Sequence, residues 1–124
     1  MKKFLFLALL AGLFTLMSTS SVDAQNLGNR TQCDIEMKID YGWPGCVPVG
    51  TFSIDVPAYS VIAIPLPPGM IIIRAEGAYI GTTCVFEVGV PCTGLPNPDF
   101  VPCGTACGDY KAELIPTWGV VAYH

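Results

Sequence analysis

One histidine, nine carboxylates and six cysteines are where chemistry would first be sought beyond the N-terminal segment, and their placement argues against most of it. His124 is the last residue of the sequence. A general base must be held within hydrogen-bond reach of the proton it takes, which a fraying terminus does not do. A Ser-His-Asp or Cys-His nucleophile is therefore expected only if His124 is docked, and hydrolysis ranks below every non-catalytic reading. The carboxylate pairs Asp34 with Glu36, Glu36 with Asp55 and Glu76 with Glu87 have the residue types of a glycosidase. Each of these residues alternates with apolar neighbours, which predicts the solvated side of a sheet rather than two walls of a cleft.

Metal chemistry fares no better. Cys92, Cys103 and Cys107 are spaced as zinc ligands could be, but structural zinc wants four ligands, usually in paired knuckles, and no histidine accompanies them. Calcium could use Asn97 and Asp99, although no Asp-x-Asp-x-Asp-Gly loop contains them. No metal and no cofactor is expected. Six cysteines in a small exported chain read instead as three disulfides. Cys33 and Cys84 both fall on inward-facing strand positions, which predicts a Cys33–Cys84 bridge. A local pair of Cys92 with Cys103 or Cys107 is expected, with the remaining cysteine reaching back to Cys46.

Aromatic residues at turns and strand ends are the other candidates. Trp43 sits in Gly42-Trp43-Pro44-Gly45, and Tyr41, Tyr79 and Phe100 occupy comparable positions. Aromatic side chains at loop tips offer large contact area at low entropic cost, so they can stack on a sugar or anchor a partner protein. These four are the candidate binding residues; the alternative is that they cap the open ends of the fold.

The elements that must position them are legible from pattern. Lys2 and Lys3, the apolar run Phe4 to Met17 and the small residues up to Val22-Asp23-Ala24 have the order of a signal peptide. The apolar run is too short to span a bilayer comfortably, which takes about 20 residues, so residues 1–24 are expected to be removed and no membrane span to remain. Residues 25–124 carry four cations, Arg30, Lys38, Arg74 and Lys111, against those nine carboxylates, a formal charge of −5. That excludes nucleic acid, which needs a basic stripe to displace counterions. It disfavours anionic membrane surfaces for the same reason. Residues 25–32 are polar and read as a loose leader containing the Asn29-Arg30-Thr31 glycosylation sequon.

From Cys33 to Tyr41 apolar and charged residues alternate strictly, the pattern of a strand with one face buried. Further strands are predicted at 50–56, 60–66, 70–76, 83–90, 110–115 and 118–123. The run 61–66 does not alternate, and its flanking prolines favour a sheet edge. Residues 91–109, with four prolines and three glycines, predict a long loop that is functional or tied down. Seven short strands in one 33–124 domain predict an all-β fold, a small two-sheet antiparallel β-sandwich of immunoglobulin-like size, stapled by disulfides. A small barrel is the alternative. The succession strand, Val56-Pro57-Ala58, strand, Leu66-Pro67-Pro68-Gly69, strand over 52–73 resembles that of secreted bacterial immunoglobulin-like modules. The resemblance implies the fold and carries no functional residue across.

Taken together, the residues predict a secreted, extracellular or periplasmic, non-catalytic module. It would bind a glycan or protein through the Trp43 turn and the 91–109 loop. An assembly subunit pairing through a sheet edge, at 60–66 or 118–123, is a second class; a secreted inhibitor or small toxin is a third.

Overall fold

A computed structural model describes residues 24–124; the signal-like segment before them lies outside the described residues. Nine strands form: β1 (Ala24–Asn29), β2 (Ile35–Trp43), β3 (Val47–Val56), β4 (Ser60–Pro65), β5 (Ile71–Tyr79), β6 (Val85–Gly89), β7 (Asp99–Val101), β8 (Tyr110–Ile115) and β9 (Gly119–Tyr123). They make a five-stranded sheet in the order β4-β1-β9-β8-β7 and a four-stranded sheet in the order β3-β2-β5-β6. This is the expected two-sheet sandwich. All seven expected strands are present, and all pairings are antiparallel except β1 with β9.

The strict alternation at 33–41 does what a half-buried strand requires. Ile35, Met37 and Ile39 are fully buried, while Glu36 and Lys38 face solvent. They meet Phe52, Ile54 and Val56 from β3 and Phe86 and Val88 from β6 in a single core that also takes Leu27, Ile64, Leu114 and Val120 from the facing sheet. Burial of this apolar surface is the main stabilising term. Among the described residues β4 is an edge, paired only with β1, whereas β9 lies inside its sheet between β1 and β8.

The expectation of a loose leader at 25–32 does not hold. Residues 24–29 are β1, hydrogen-bonded on one side to β4 and on the other to β9. Its inward positions are Gln25, Leu27 and Asn29, two of them polar, so no alternation announces it. The buried Asn29 is satisfied instead of excluded. Its amide donates to the carbonyls of Cys33 (2.7 Å) and Val56 (3.0 Å). Its oxygen accepts from the Thr31 amide (2.9 Å) and hydroxyl (2.6 Å). The sequon asparagine is thus a 0 % exposed structural residue in the folded protein, closed to glycosylation once the fold has formed.

The disulfides are Cys33–Cys107, Cys46–Cys92 and Cys84–Cys103. A Cys33–Cys84 bridge does not form, because β5 lies between β2 and β6. Two strand spacings separate those chains by about 10 Å, beyond the Cα separation a disulfide tolerates. The expected local pair within 92–107 is likewise absent, since Cys92 is the cysteine that reaches back to Cys46. Cys33–Cys107 and Cys84–Cys103 tie the four-stranded sheet to the 102–109 loop that leads into β8. Three disulfides fit an oxidising compartment, extracellular or periplasmic. Among the described residues no helix is long and apolar enough to cross a membrane.

Candidate functional site

Charge is segregated along this fold. No Asp, Glu, Lys or Arg occurs in residues 41–54, 56–73, 88–98 or 114–124. The register brings the turns of these segments to one end of the sandwich. Gly42 pairs with Ile71, Pro65 with Ala24 and Asn26 with Gly119, and the short connection 66–70 joins the two sheets there. The 44–46, 66–70, 91–97 and 116–118 connections therefore share that end. The opposite end holds the 30–34, 57–59, 80–84 and 102–109 connections, with Arg30, Asp34 and Asp109.

The uncharged end is rigidly built. A bulge shifts the β2 register at Tyr41 and Gly42. Beyond it Gly45 and Cys46 both take left-handed conformations and turn the chain back into β3. Cys46 is tied to Cys92, on the one-turn 3-10 segment Pro91–Thr93, so the Trp43 turn and the start of the 91–109 loop are covalently joined. Trp43 leans on Gly69, where a Cβ would come within 3.2 Å of the indole. Gly69 also has a φ of +84° in the inter-sheet turn closed by the Met70 amide donating to the Pro67 carbonyl at 3.0 Å. Trp43 stays 43 % exposed, and Val47 and Val49 are half exposed beside it. Exposed apolar side chains grouped without charges mark interaction surfaces more often than scattered ones do.

The four candidate binding residues do not form one site. Trp43 is exposed at this end. Tyr41 is half-buried, its ring 6.0 Å from that of Phe52 and its hydroxyl lying over Gly50. Tyr79 is a core residue, 1 % exposed. Its ring lies 4.7 Å from that of Tyr110 and its hydroxyl donates to the Cys107 carbonyl at 3.3 Å. Patterning alone ends the strand at 76 and leaves Tyr79 in a turn, but β5 continues to Tyr79 and keeps 75, 77 and 79 inward. Phe100 is 57 % exposed, but on β7, opposite Lys111 on the outer face of the other sheet.

The polar candidates are absorbed by the scaffold. Asn97 exchanges two 2.8 Å hydrogen bonds with the backbone of Leu114, acting as an extra strand residue beside β8. Asp99 accepts from the Glu87 amide at 3.0 Å, covering the β6 edge. Among the described residues no group of three or more His, Cys, Asp or Glu is arranged to hold a metal. The His124 ring is hydrogen-bonded to the Asp109 carbonyl at 2.8 Å, which is not a nucleophile. Glu36 with Asp55 and Glu76 with Glu87 are direct cross-strand neighbours on the outer face of the four-stranded sheet. Arg74 bridges the second pair, bonded to Glu87 and, at 3.1 Å, to Glu76, with Asp40 at 3.8 Å. Burial works against the charge of this guanidinium, but Glu87, Glu76 and Asp40 outweigh it and raise its pKa. The face is a charge network laid across strands.

Two features escape sequence reasoning. Val47 and Val49 fall outside the candidate set, although the absence of charge around them is legible. Trp118 patterns as the first residue of a strand; its indole instead lies over Gly28, within the segment that patterns as a leader.

Comparison with known protein families, with characterised proteins and with solved structures finds no match.

Proposed function

We propose that this protein is an exported, non-catalytic, immunoglobulin-like binding module that docks its uncharged end against an apolar surface of a partner protein. The observation that carries the reading is the exposed Trp43, Val47 and Val49 on an end whose turns all lack charge. Export is supported by the signal-like order of residues 1–24 and by the disulfides. The resemblance at 52–73 supports the immunoglobulin-like assignment. A protein partner is favoured over a glycan because this end offers prolines, valines and an indole but few side chains to hydrogen-bond sugar hydroxyls. Loops held by a rigid sandwich are where recognition residues tend to sit.

The test compares labelled protein on a glycan array and on intact source cells, before and after surface proteolysis. Cell binding should be lost on proteolysis. It should fall at least about tenfold with Trp43→Ala or Val49→Asp, as expected of an anchor residue, and persist with Lys111→Gln on the other sheet. Protease-resistant binding matched on the array would replace the protein partner by a glycan. No binding, or indifference to Trp43, would remove the site.

A second reading is favoured by the edge strand of the smaller sheet. Among the described residues β3, ten residues long, pairs only with β2, a sheet edge of the kind that can template another strand. An assembly subunit would self-associate through it. A strict monomer at high concentration in size-exclusion chromatography with light scattering would end that reading.

A further inference from the structure

On the outer face of the five-stranded sheet, away from the Trp43 turn, lies a groove of about 310 Å³ lined by Gly28, Arg30, Val61, Ile115, Trp118 and Val121. Its volume falls at the small end of the range for ligand sites. We propose that this groove binds a small apolar monocarboxylate, a single ring bearing one carboxylate.

The platform is Trp118. Its carbonyl accepts from both the backbone amide (2.8 Å) and the side-chain amide (3.2 Å) of Asn26, and its own amide donates to the Ile115 carbonyl at 2.9 Å. The β8–β9 turn is thereby fastened to β1. Gly28, central in β1, leaves the space the indole occupies; a Cβ there would stand 2.7 Å from Cη2. Val61, Ile115 and Val121 from three strands form the rest of the apolar lining. A ring can lie against such an indole with its edges among the aliphatic side chains.

Charge selects the second half of the ligand. The two arginines of the described chain are used differently. Arg74 is engaged by three carboxylates, whereas among the described residues Arg30 makes no ion pair, although it lines the groove. Glu113, on the same outer face, already accepts from the Tyr123 hydroxyl at 3.1 Å. A guanidinium with free donors beside an apolar floor suits a carboxylate, which it can hold in a bidentate fork. The formal charge of −5 beyond the N-terminal segment repels a polyanion, so one carboxylate fits better than an acidic polymer. A neutral sugar fits less well, because Arg30 is the one charged or amide-bearing side chain in the lining and the hydroxyls of a sugar ring would go unpaired.

Two-dimensional amide NMR tests this, since it resolves the two indole N–H groups separately. Titration with 3-phenylpropionate should shift the Trp118 indole and the amides of 28, 61 and 121 in a saturable way, with a Kd on the order of 1 mM or tighter. The neutral 3-phenylpropanamide should bind at least about fivefold more weakly, and Arg30→Gln should weaken the acid by a similar factor while leaving the amide unchanged. Arg30 is exposed, so the variant keeps the fold. Gly28→Ala, which displaces the indole, should abolish binding of both probes. No saturable shift up to about 10 mM, equal binding of acid and amide, or an acid affinity unmoved by Arg30→Gln would overturn the proposal. Shifts confined to Trp43 would overturn it as well, and would leave the docking end standing on its own test.

Discussion

Replacing Asn29 with alanine should cost this protein more stability than truncating either of the other amide side chains of β1, Gln25 or Asn26. The amide makes four hydrogen bonds at a position with no solvent exposure. Their loss does not fall evenly on the partners. The Thr31 hydroxyl already lies 3.1 Å from the Cys33 carbonyl and can turn its proton there, so that acceptor keeps a donor. The Val56 carbonyl keeps its ladder partner in Ile35, but the Thr31 amide keeps none. The orphaned Thr31 amide costs about 1–3 kcal/mol and the lost bond to the Val56 carbonyl about 1 kcal/mol more, giving about 2–4 kcal/mol in all. That is a large part of the roughly 5–15 kcal/mol by which domains are stable. Guanidinium unfolding with the disulfides intact measures it. Asn26→Ala is the internal comparison: its side chain only supplements a backbone bond to the same Trp118 carbonyl, so its loss should stay under about 1 kcal/mol. Asn29→Asp adds a sign test. A carboxylate buried against two carbonyls has its pKa raised in the folded state, so that variant should be weakest at neutral pH and regain stability as pH falls and the acid protonates. If Asn29→Ala costs no more than Asn26→Ala, or if Asn29→Asp is insensitive to pH, the claim that this amide holds β1 in place is wrong.

Other perturbations have equally definite expected results. Cys92 is exposed while Cys103 is buried, so mild reduction of the native protein should open Cys46–Cys92 first; peptide mapping after alkylation would contradict this if Cys84–Cys103 led. Burial, reinforced by Tyr79 and Asp99, pushes the Tyr110 phenol above its ordinary 10.0. The folded state therefore keeps a proton that the unfolded chain loses, so stability is full below pH 10 and falls above it by up to about 1.4 kcal/mol per pH unit. Tyr110→Phe should flatten that decline while costing about 1 kcal/mol at neutral pH for the bond to the Cys84 carbonyl. Arg74→Gln leaves Glu76 opposite Glu87. On a face about a third exposed this should cost about 0.5–1 kcal/mol, a loss that shrinks at about 1 M salt, where the screening length is near 3 Å.

Period-2 patterning decides which parts of the molecule can be read in advance. Where a strand sets apolar residues inward and charges outward, as at 33–41, sequence and structure agree. β1 escapes such reading because its inward positions are filled by Gln25 and Asn29, and the burial of Asn29 is tolerable only through partners at Thr31, Cys33 and Val56 outside the strand. The disulfide pairing escapes for a different reason. Facing direction is a local property, but whether two inward cysteines meet depends on strand order, and nothing local places β5 between β2 and β6. Tyr79 combines both effects: its register position is inward, yet ending β5 at residue 76 puts it in a turn and makes a core ring look like a surface one.

The two candidate surfaces differ in the same respect. The uncharged end could be found from sequence alone, since four long segments without a single charge are visible before any contact is known, and only their convergence needs the fold. The Trp118 groove could not. It requires a glycine from the first strand beneath an indole from the last hairpin, with Arg30, just past β1, making no ion pair among the described residues while Arg74 is held by three carboxylates. An apolar end is an extended surface suited to another macromolecule. A small groove with one free cation suits a small anion. If both exist, Trp43→Ala and Arg30→Gln should each abolish one kind of binding and leave the other intact. Trp43, Val47 and Val49 lie on the four-stranded sheet and Arg30, Val61 and Val121 on the outer side of the five-stranded one, although the 116–118 turn that carries Trp118 borders the uncharged end. Loss of both from either single change would mean that the sandwich has one site, and that the division drawn from charge and burial is mistaken.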